Sequence, residues 1–491
     1  MSEIAKHWID GEWTGSDTVS ESVNPATGAL LGRWTDGGEA EARAAVAAAR
    51  RAFETSSWSR DRSLRHRVLN EMADRFDAHA EELGTLVTKE NGKKIAEGLF
   101  EGTSPSPTLR HNAAQALTDT GISAEVAPGQ WFSTYAEPAG VVGIIVPWNS
   151  PVALLIRSLA PALSAGNTVA VKMPGQTALV ANLVSQIIAE VESLPRGVVN
   201  IFTESGNTGA PYLVASPDVQ VISYTGSTTV GRIVAANGAP TLKRMNLELG
   251  GKTPMIVFDD ADLDAIIPLL AAGIITFGGE FCMTGARILV QRGVADKVRT
   301  RLAAILENVR VGDGMDPSTD MGPLIDKADV ARVEGMVQAA LAYAKPIVRG
   351  GPATDGALAA GAFYRPALLE VEDVSTEIVQ KEVFGPVATF EVFDTEADAI
   401  ALANATEYGL AAAVFTASIN TSRRVSREIQ AGTVWTNTWA AINDGFAEGG
   451  YKQSGIGRLR GPLAITEFQE AKTVVHAIPP FQGGSQAALS T

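Results

Sequence analysis

The chain has 491 residues, of which 45% are apolar and 19% charged. At about 100–200 residues per domain it has room for two to four domains, and its apolar content excludes a chain disordered throughout. A formal charge of −15 and a pI near 4.9 argue against a protein that coats nucleic acid or an anionic membrane. A single cysteine excludes an internal disulfide and a thiolate-rich metal centre. The five histidines, at 7, 66, 79, 111 and 476, contain no His-x3-His pair, so no metal is expected. The start MSEIAKHWID shows no signal peptide. The longest apolar runs, Ala139–Val146 and Ile266–Phe277, fall short of the ~18–20 residues that a membrane span needs. A cytoplasmic protein with neither membrane nor nucleic-acid partner is expected.

The first 25 residues read as short strands and turns, punctuated by Asp10-Gly11 and by Asn24-Pro25. Glu39–Phe53 and Ser63–Leu86 carry apolar residues at helical spacing. From Gly140 the character changes. Val141–Val146 is a continuous β-branched run, as for a strand buried on both faces. Helix Ala153–Leu163, strand Thr168–Met173, helix Ala178–Val191, strand Val198–Phe202, helix Ala210–Ala215 and strand Val219–Tyr224 continue the alternation. Such alternation predicts parallel β-α-β units. Met255–Phe258, Ile288–Val290, Val387–Phe390, Ala411–Phe415 and Gly432–Asn437 repeat the style. The fold class is therefore α/β, in two domains that meet near Glu248–Lys252. Phe481–Thr491 reads as a frayed or subunit-docked tail.

Cys282 lies in a glycine-rich bend, Phe277–Gly285. It is either a small buried hydrophobe or a nucleophile whose neighbouring amides face an oxyanion. Glu248, in LELGGK, is either the exposed side of a strand or a buried carboxylate with a raised pKa, suited to general-base work. Asn149 follows a buried strand in Pro147-Trp148-Asn149, where parallel sheets bind ligands; it is a turn former or an oxyanion donor. Thr225-Gly226-Ser227 closes another strand and opens a helix carrying Gly231, a possible pyrophosphate site that alone is a weak signal.

In order along the chain come PWN with Asn149, VKMP with Lys172, TGS with Gly226, LELGGK with Glu248, then Cys282 and KEVFGP with Glu382. With HWIDGEW near the start and GGYKQSGIGR near the end, the chain resembles the aldehyde dehydrogenase superfamily over about 470 residues. The resemblance implies oxidation of an aldehyde to a carboxylic acid. Cys282 would be the nucleophile, Asn149 with the Cys282 amide the oxyanion site, and Glu248 the base that activates water. It implies a Rossmann-like NAD(P)-binding domain over 1–119 and 140–250, and a catalytic α/β domain over 251–469. A small β oligomerisation element over 120–139 and 470–491 would give a homodimer or homotetramer. Cofactor contacts are implied at Pro147, Trp148, Lys172, Gly206, Gly226, Ser227, Gly231, Leu249, Glu382 and Phe384.

Departures from the family pattern carry information. Position 175, where NAD-preferring members commonly hold a Glu for the adenosine ribose, is Gly, and no Arg nearby attracts a 2′-phosphate. NAD is the expected cofactor and NADP the alternative. Glu280 stands where Gln is usual; it raises the thiol's pKa if close, and otherwise points away or pairs with Arg287. Pro462 replaces a late Glu, so any proton relay through that position is absent or rerouted. Substrate-tunnel positions often aromatic are Ser150, Arg157, Ile442 and Glu448, with Phe281 and Trp439 keeping aromatic character. This suggests a polar or carboxylate-bearing aldehyde met by Arg157, unless Arg157 pairs with Glu448. A CoA-acylating enzyme and a non-catalytic member of the fold are the competing readings. The retained Glu248 argues against the first, and Asn149, Glu248 and Cys282 together argue against the second.

Overall fold

A computed structural model describes residues 4–118 and 121–478. The tail at 481–491 lies outside the described residues. Two mostly parallel sheets organise the chain. The first has eight strands in the order Glu12–Thr14, His7–Ile9, Val199–Glu204, Thr168–Pro174, Val141–Ile145, Val221–Thr225, Arg244–Glu248 and Gly455–Ile456. The middle five run parallel, and the others pair antiparallel at the two ends. All five residues of Val141–Ile145 are buried, which explains their uninterrupted apolar character.

The second sheet has seven strands: Lys345–Val348, Ala367–Glu370, Val387–Phe393, Arg287–Gln291, Pro254–Val257, Ala411–Phe415 and Thr433–Thr436. Its first pair is antiparallel and the rest are parallel. Residues 254–436 supply all of it. The short strand Gly455–Ile456 crosses back to pair with Arg244–Glu248, so residues 251–469 are not confined to the second sheet. A third, antiparallel sheet joins Ile122–Ala127, Gln130–Pro138 and Gln469–Ala477.

Two differences from the sequence expectation have physical causes. The run Ser63–Leu86 is two helices, Arg62–Ala78 and Ala80–Asn91. His79 leaves helical dihedrals between them, with its ring hydrogen-bonded to Glu82 and Glu190. Lys345–Val348 carries no apolar run because it is a half-exposed edge strand, with Pro346 at a register shift.

Function is located by strand order. In the first sheet the chain adds strands to one side of Val141–Ile145 and then returns to the other side with Val221–Thr225. A crevice opens beyond the carboxyl ends of strands at such a reversal. Both Pro147-Trp148-Asn149 and Gly226-Ser227 border it, together with residues from the second sheet's loops.

Candidate active site

The crevice has a volume of about 360 Å³. It brings together Cys282, Glu248, Asn149, Pro147, Trp148, Gly226, Ser227, Leu249, Glu382 and Phe384, which are separate in sequence.

The segment before the cysteine is held in an unusual backbone path. Phe277, Gly278 and Gly279 all have positive φ, at 54°, 64° and 74°. Glycine at 279 is required on a second ground: a Cβ there would lie 2.2 Å from the Gly385 carbonyl carbon. Around the bend, Glu97 Oε1 accepts from Phe277 N at 3.2 Å and the Lys93 ammonium sits 4.0 Å over the Phe277 ring. Lys93 is itself buried in an ion pair with Glu101 and donates to Ser150 Oγ at 2.8 Å. Glu101 Oε1 accepts from Val152 N at 2.9 Å and so caps the helix Pro151–Ala165 that follows Asn149. One charged cluster therefore braces both the Cys282 loop and the Asn149 turn.

Asn149 is buried and donates one amide N–H to the Glu280 carbonyl at 3.0 Å. A primary amide carries two such donors, so one is left for a ligand. Glu280 does not face the thiol: its buried carboxyl accepts from Ile325 N at 3.0 Å, and burial pushes its pKa well up. Arg287 is not its partner, because that guanidinium is paired with Glu391. Burial pushes the Cys282 thiol up to about 12, against the attraction of Arg157. Glu248, at the end of strand Arg244–Glu248, is buried and pushed up to about 8 by desolvation, again opposed by Arg157. Its Oε1 has no hydrogen-bond partner among the described residues. A desolvated carboxyl with an unpartnered oxygen on a crevice is arranged to take a proton from an incoming molecule.

Of the residues expected to contact a cofactor, Pro147, Trp148, Gly226, Ser227, Leu249, Glu382 and Phe384 line the crevice, and Lys172, Gly206 and Gly231 are not part of its lining. Glu382 Oε1 accepts from Gly251 N at 3.0 Å, and burial raises its pKa to about 7. Gly250 must lack a side chain, since a Cβ there would be 2.4 Å from Glu382 Oε2. Phe384 has φ 51° and its ring meets Trp148 edge-on at 5.6 Å. Ser227 caps the helix Thr228–Gly238, accepting from Val230 N at 3.3 Å. Gly231 does not line the crevice. A Cβ there would strike Leu249 at 2.4 Å, so it acts by seating Leu249. Lys172, at the end of strand Thr168–Pro174, is largely desolvated, which lowers its pKa against the pull of Glu204 and Asp36. Gly206 lies on the exposed bend that follows Glu204. This set of groups matches a dinucleotide: an ammonium and a carboxylate for hydroxyls, the start of the helix Thr228–Gly238 for phosphate, although Gly226 N already donates to the Glu248 carbonyl at 3.0 Å, and an aromatic wall for a ring.

Arg332 was not legible as a site residue. It lines the crevice and donates to the Val383 carbonyl at 2.6 Å and to the Phe384 carbonyl at 3.1 Å, while Asp329 holds its Nε at 2.5 Å. It fastens the turn that presents Phe384. Its partners are backbone carbonyls 51 and 52 residues away, which no sequence pattern announces.

Of the two readings of Arg157, the structure has the pairing with Glu448. Arg157 is buried, pairs with Glu448 at 2.5 Å and donates to Thr225 Oγ1 at 3.0 Å. Glu448 also accepts from Arg460 at 2.8 Å, and Arg460 pairs in turn with Asp444. Its two terminal nitrogens are thus committed to a buried network, while Arg157 Nε has no hydrogen-bond partner among the described residues. Phe281 meets Trp439 edge-on at 5.9 Å, and Trp439 Nε1 donates to the Met283 carbonyl at 3.1 Å. Phe281 directly precedes Cys282, and both rings and the cysteine pack against the same apolar cluster, although neither ring lines the crevice.

A sequence model of the aldehyde dehydrogenase family matches residues 13–474. A phenylacetaldehyde dehydrogenase of Pseudomonas fluorescens is 35% identical over 482 residues, 96% of this chain and 95% of that protein. A 2-aminomuconic semialdehyde dehydrogenase of Danio rerio is also 35% identical, over 96% of this chain and 98% of its own length. The crystal structure of a betaine aldehyde dehydrogenase from Staphylococcus aureus in complex with NAD+ superposes with a TM-score of 0.95 at 34% identity, covering 97% of this chain and 95% of that one. The chain belongs to the aldehyde dehydrogenase family. It is an oxidoreductase acting on aldehydes.

Proposed function

We propose that the protein oxidises an aldehyde to its carboxylic acid with NAD+, through covalent attachment to Cys282 and hydrolysis assisted by Glu248. The observation that carries this reading is the meeting of Cys282, Glu248 and Asn149 on one crevice with Glu382 and Phe384. Cys282 gives up its thiol proton to solvent and its sulfur adds to the aldehyde carbon, the C=O pair moving onto oxygen. The free amide N–H of Asn149 and the Cys282 backbone N–H meet the oxyanion that forms. NAD+, when bound by Lys172, Gly226, Ser227, Glu382 and Phe384, supplies the acceptor for the hydride that carbon loses. Glu248 then takes the proton of the water that attacks the Cys282 thioester, and the acid leaves.

The substrate class follows from the walls. With Arg157 paired to Glu448, the Phe281–Trp439 pair, packed with Cys282 against one apolar cluster, is the group read as meeting the substrate's substituent. The aldehyde is accordingly one whose substituent packs against aromatic rings, with no carboxylate read by Arg157. The relatives named above act on aldehydes of different chemistry at nearly equal identity, so overall similarity does not select among them. The third sheet supports a homodimer or homotetramer: Ile122 and Val126 on its edge strand are 78% and 60% exposed, an edge that a second copy would cover.

Mixing enzyme, NAD+ and aldehyde, quenching in acid and mapping peptides tests the covalent step. An acyl mass on the Cys282 peptide supports it, and consumption of aldehyde with Cys282 always unmodified contradicts it. Added coenzyme A should yield no acyl-CoA.

A further inference from the structure

Position 175 cannot supply a carboxylate to the crevice, for a reason beyond its being glycine. A Cβ there would lie 2.8 Å from Ser205 Cβ, 2.9 Å from Ser205 Cα and 2.9 Å from the Trp34 ring. In this chain any side chain at 175 would have to displace Ser205 and Trp34. Trp34 stands two residues before Asp36 on the strand Leu30–Asp36. Ser205, the other neighbour, holds Asp36 directly: its amide donates to Asp36 Oδ1 at 2.9 Å and its hydroxyl to Oδ2. Ser20 Oγ donates to Oδ2 at 2.9 Å. Asp36 is thereby fixed on the bend that carries Gly206, and it is one of the two carboxylates that act on the Lys172 ammonium.

The second carboxylate, Glu204, is otherwise engaged. Its oxygens accept from the amides of Thr208, Gly209 and Ala210 at 2.6, 2.8 and 3.3 Å, capping the helix Gly209–Ala215. Asp36 has taken three hydrogen bonds, whereas a carboxylate offers about four acceptor positions, so one remains on Oδ1. Carboxylates that read an adenosine ribose do so by accepting from its 2′-hydroxyl, and they repel a 2′-phosphate at the same place.

We propose that Asp36, held by Ser205 beside position 175 on a strand remote in sequence, is the carboxylate that accepts from the adenosine ribose and selects NAD+ over NADP+. This rests on the reading that Lys172 and Gly206 border the adenosine half of a dinucleotide. Asp36 and Lys172 then form a pair of opposite roles, the ammonium donating to the ribose and the carboxylate accepting from it. Ser205 and Ser20 keep the acceptor aimed.

Calorimetric titration with two fragments, 5′-AMP and 2′,5′-ADP, reads this end of the site without any contribution from the thiol or aldehyde. The wild-type protein should bind 5′-AMP and discriminate against 2′,5′-ADP. Asp36→Asn, which keeps the shape, should shift the ratio of the two affinities towards 2′,5′-ADP by about tenfold or more, since one like charge is removed. Asp36→Ser, smaller and equally neutral, should shift it the same way, and NADP+ against NAD+ should follow. A ratio changed less than about twofold in both folded variants would overturn the assignment. A wild-type protein that binds neither fragment nor NAD+ would instead overturn the dinucleotide reading, and the role of Asp36 with it.

Discussion

Replacing Glu248 by Gln keeps the side chain's shape and removes its titration. Glu248 has an ordinary pKa of 4.5 and one of about 8 in the folded chain, because burial disfavours its charged form. The native state therefore holds this proton more tightly than the unfolded state does. Relative to Glu248→Gln, the wild type loses stability as pH rises from about 4.5, and the loss levels off above about 8. Each unit of displacement is worth about 1.4 kcal/mol, so the ceiling is about 5 kcal/mol. With an unfolding entropy of about 2 cal/mol/K per residue, a chain of this length gains about 1 °C in Tm per kcal/mol, hence up to about 5 °C. Scanning calorimetry of both proteins at several pH values between about 5 and 9 reads the effect. The Gln variant should melt with the wild type near pH 5 and above it at pH 8–9. The same variant should release a single burst of NADH per active site and then slow by about 10²–10⁴. A Tm difference independent of pH, or largest in acid, would refute the buried-base argument, as would undiminished turnover.

Three further outcomes follow from the geometry. Iodoacetamide should modify a single cysteine, slowly at neutral pH, with a rate rising about tenfold per pH unit and no plateau near pH 7, because burial pushes the Cys282 thiol up to about 12; mass spectrometry against time checks this. Arg157→Leu leaves Glu448 buried beside Arg460 alone and should cost about 3–5 kcal/mol, much of which Arg157→Leu/Glu448→Leu should restore in denaturant unfolding. Arg332→Met frees the Val383 and Phe384 carbonyls and should raise the KM for NAD+ about tenfold with a smaller change in kcat, checked by steady-state kinetics with saturating aldehyde.

The legibility of the sequence varied with how local the cause was. Val141–Ile145 and Ala411–Phe415 read plainly as strands because both faces are buried, which leaves an unbroken apolar run. Asn149, Glu248 and Cys282 were visible as candidates since each follows or ends a strand or sits among glycines, and the crevice assembles all three. What escaped depends on partners distant in the chain. Glu280 could not be oriented from sequence, because its partner is the Ile325 amide, 45 residues away. Arg157 and Glu448 were readable as a possible pair across 291 residues, but only packing decides between each other and a substrate. Arg332 sits on a helix whose charges look solvent-facing, and its hydrogen bonds to carbonyls leave no trace in composition. Asp36 likewise reads as the polar end of a strand until the Ser205 bend is seen to hold it.

Absorbance at 340 nm reads directly whether Cys282 carries the oxidation. Wild type and Cys282→Ala would each be mixed with NAD+ and with acetaldehyde, benzaldehyde, succinic semialdehyde and betaine aldehyde in turn. The wild type should reduce NAD+, with acid formed in equal amount and the aromatic aldehyde preferred to the carboxylate-bearing one. The variant should reduce none. Turnover that survives in Cys282→Ala, or a wild type that binds NAD+ yet reduces it with no aldehyde, would contradict that role for Cys282.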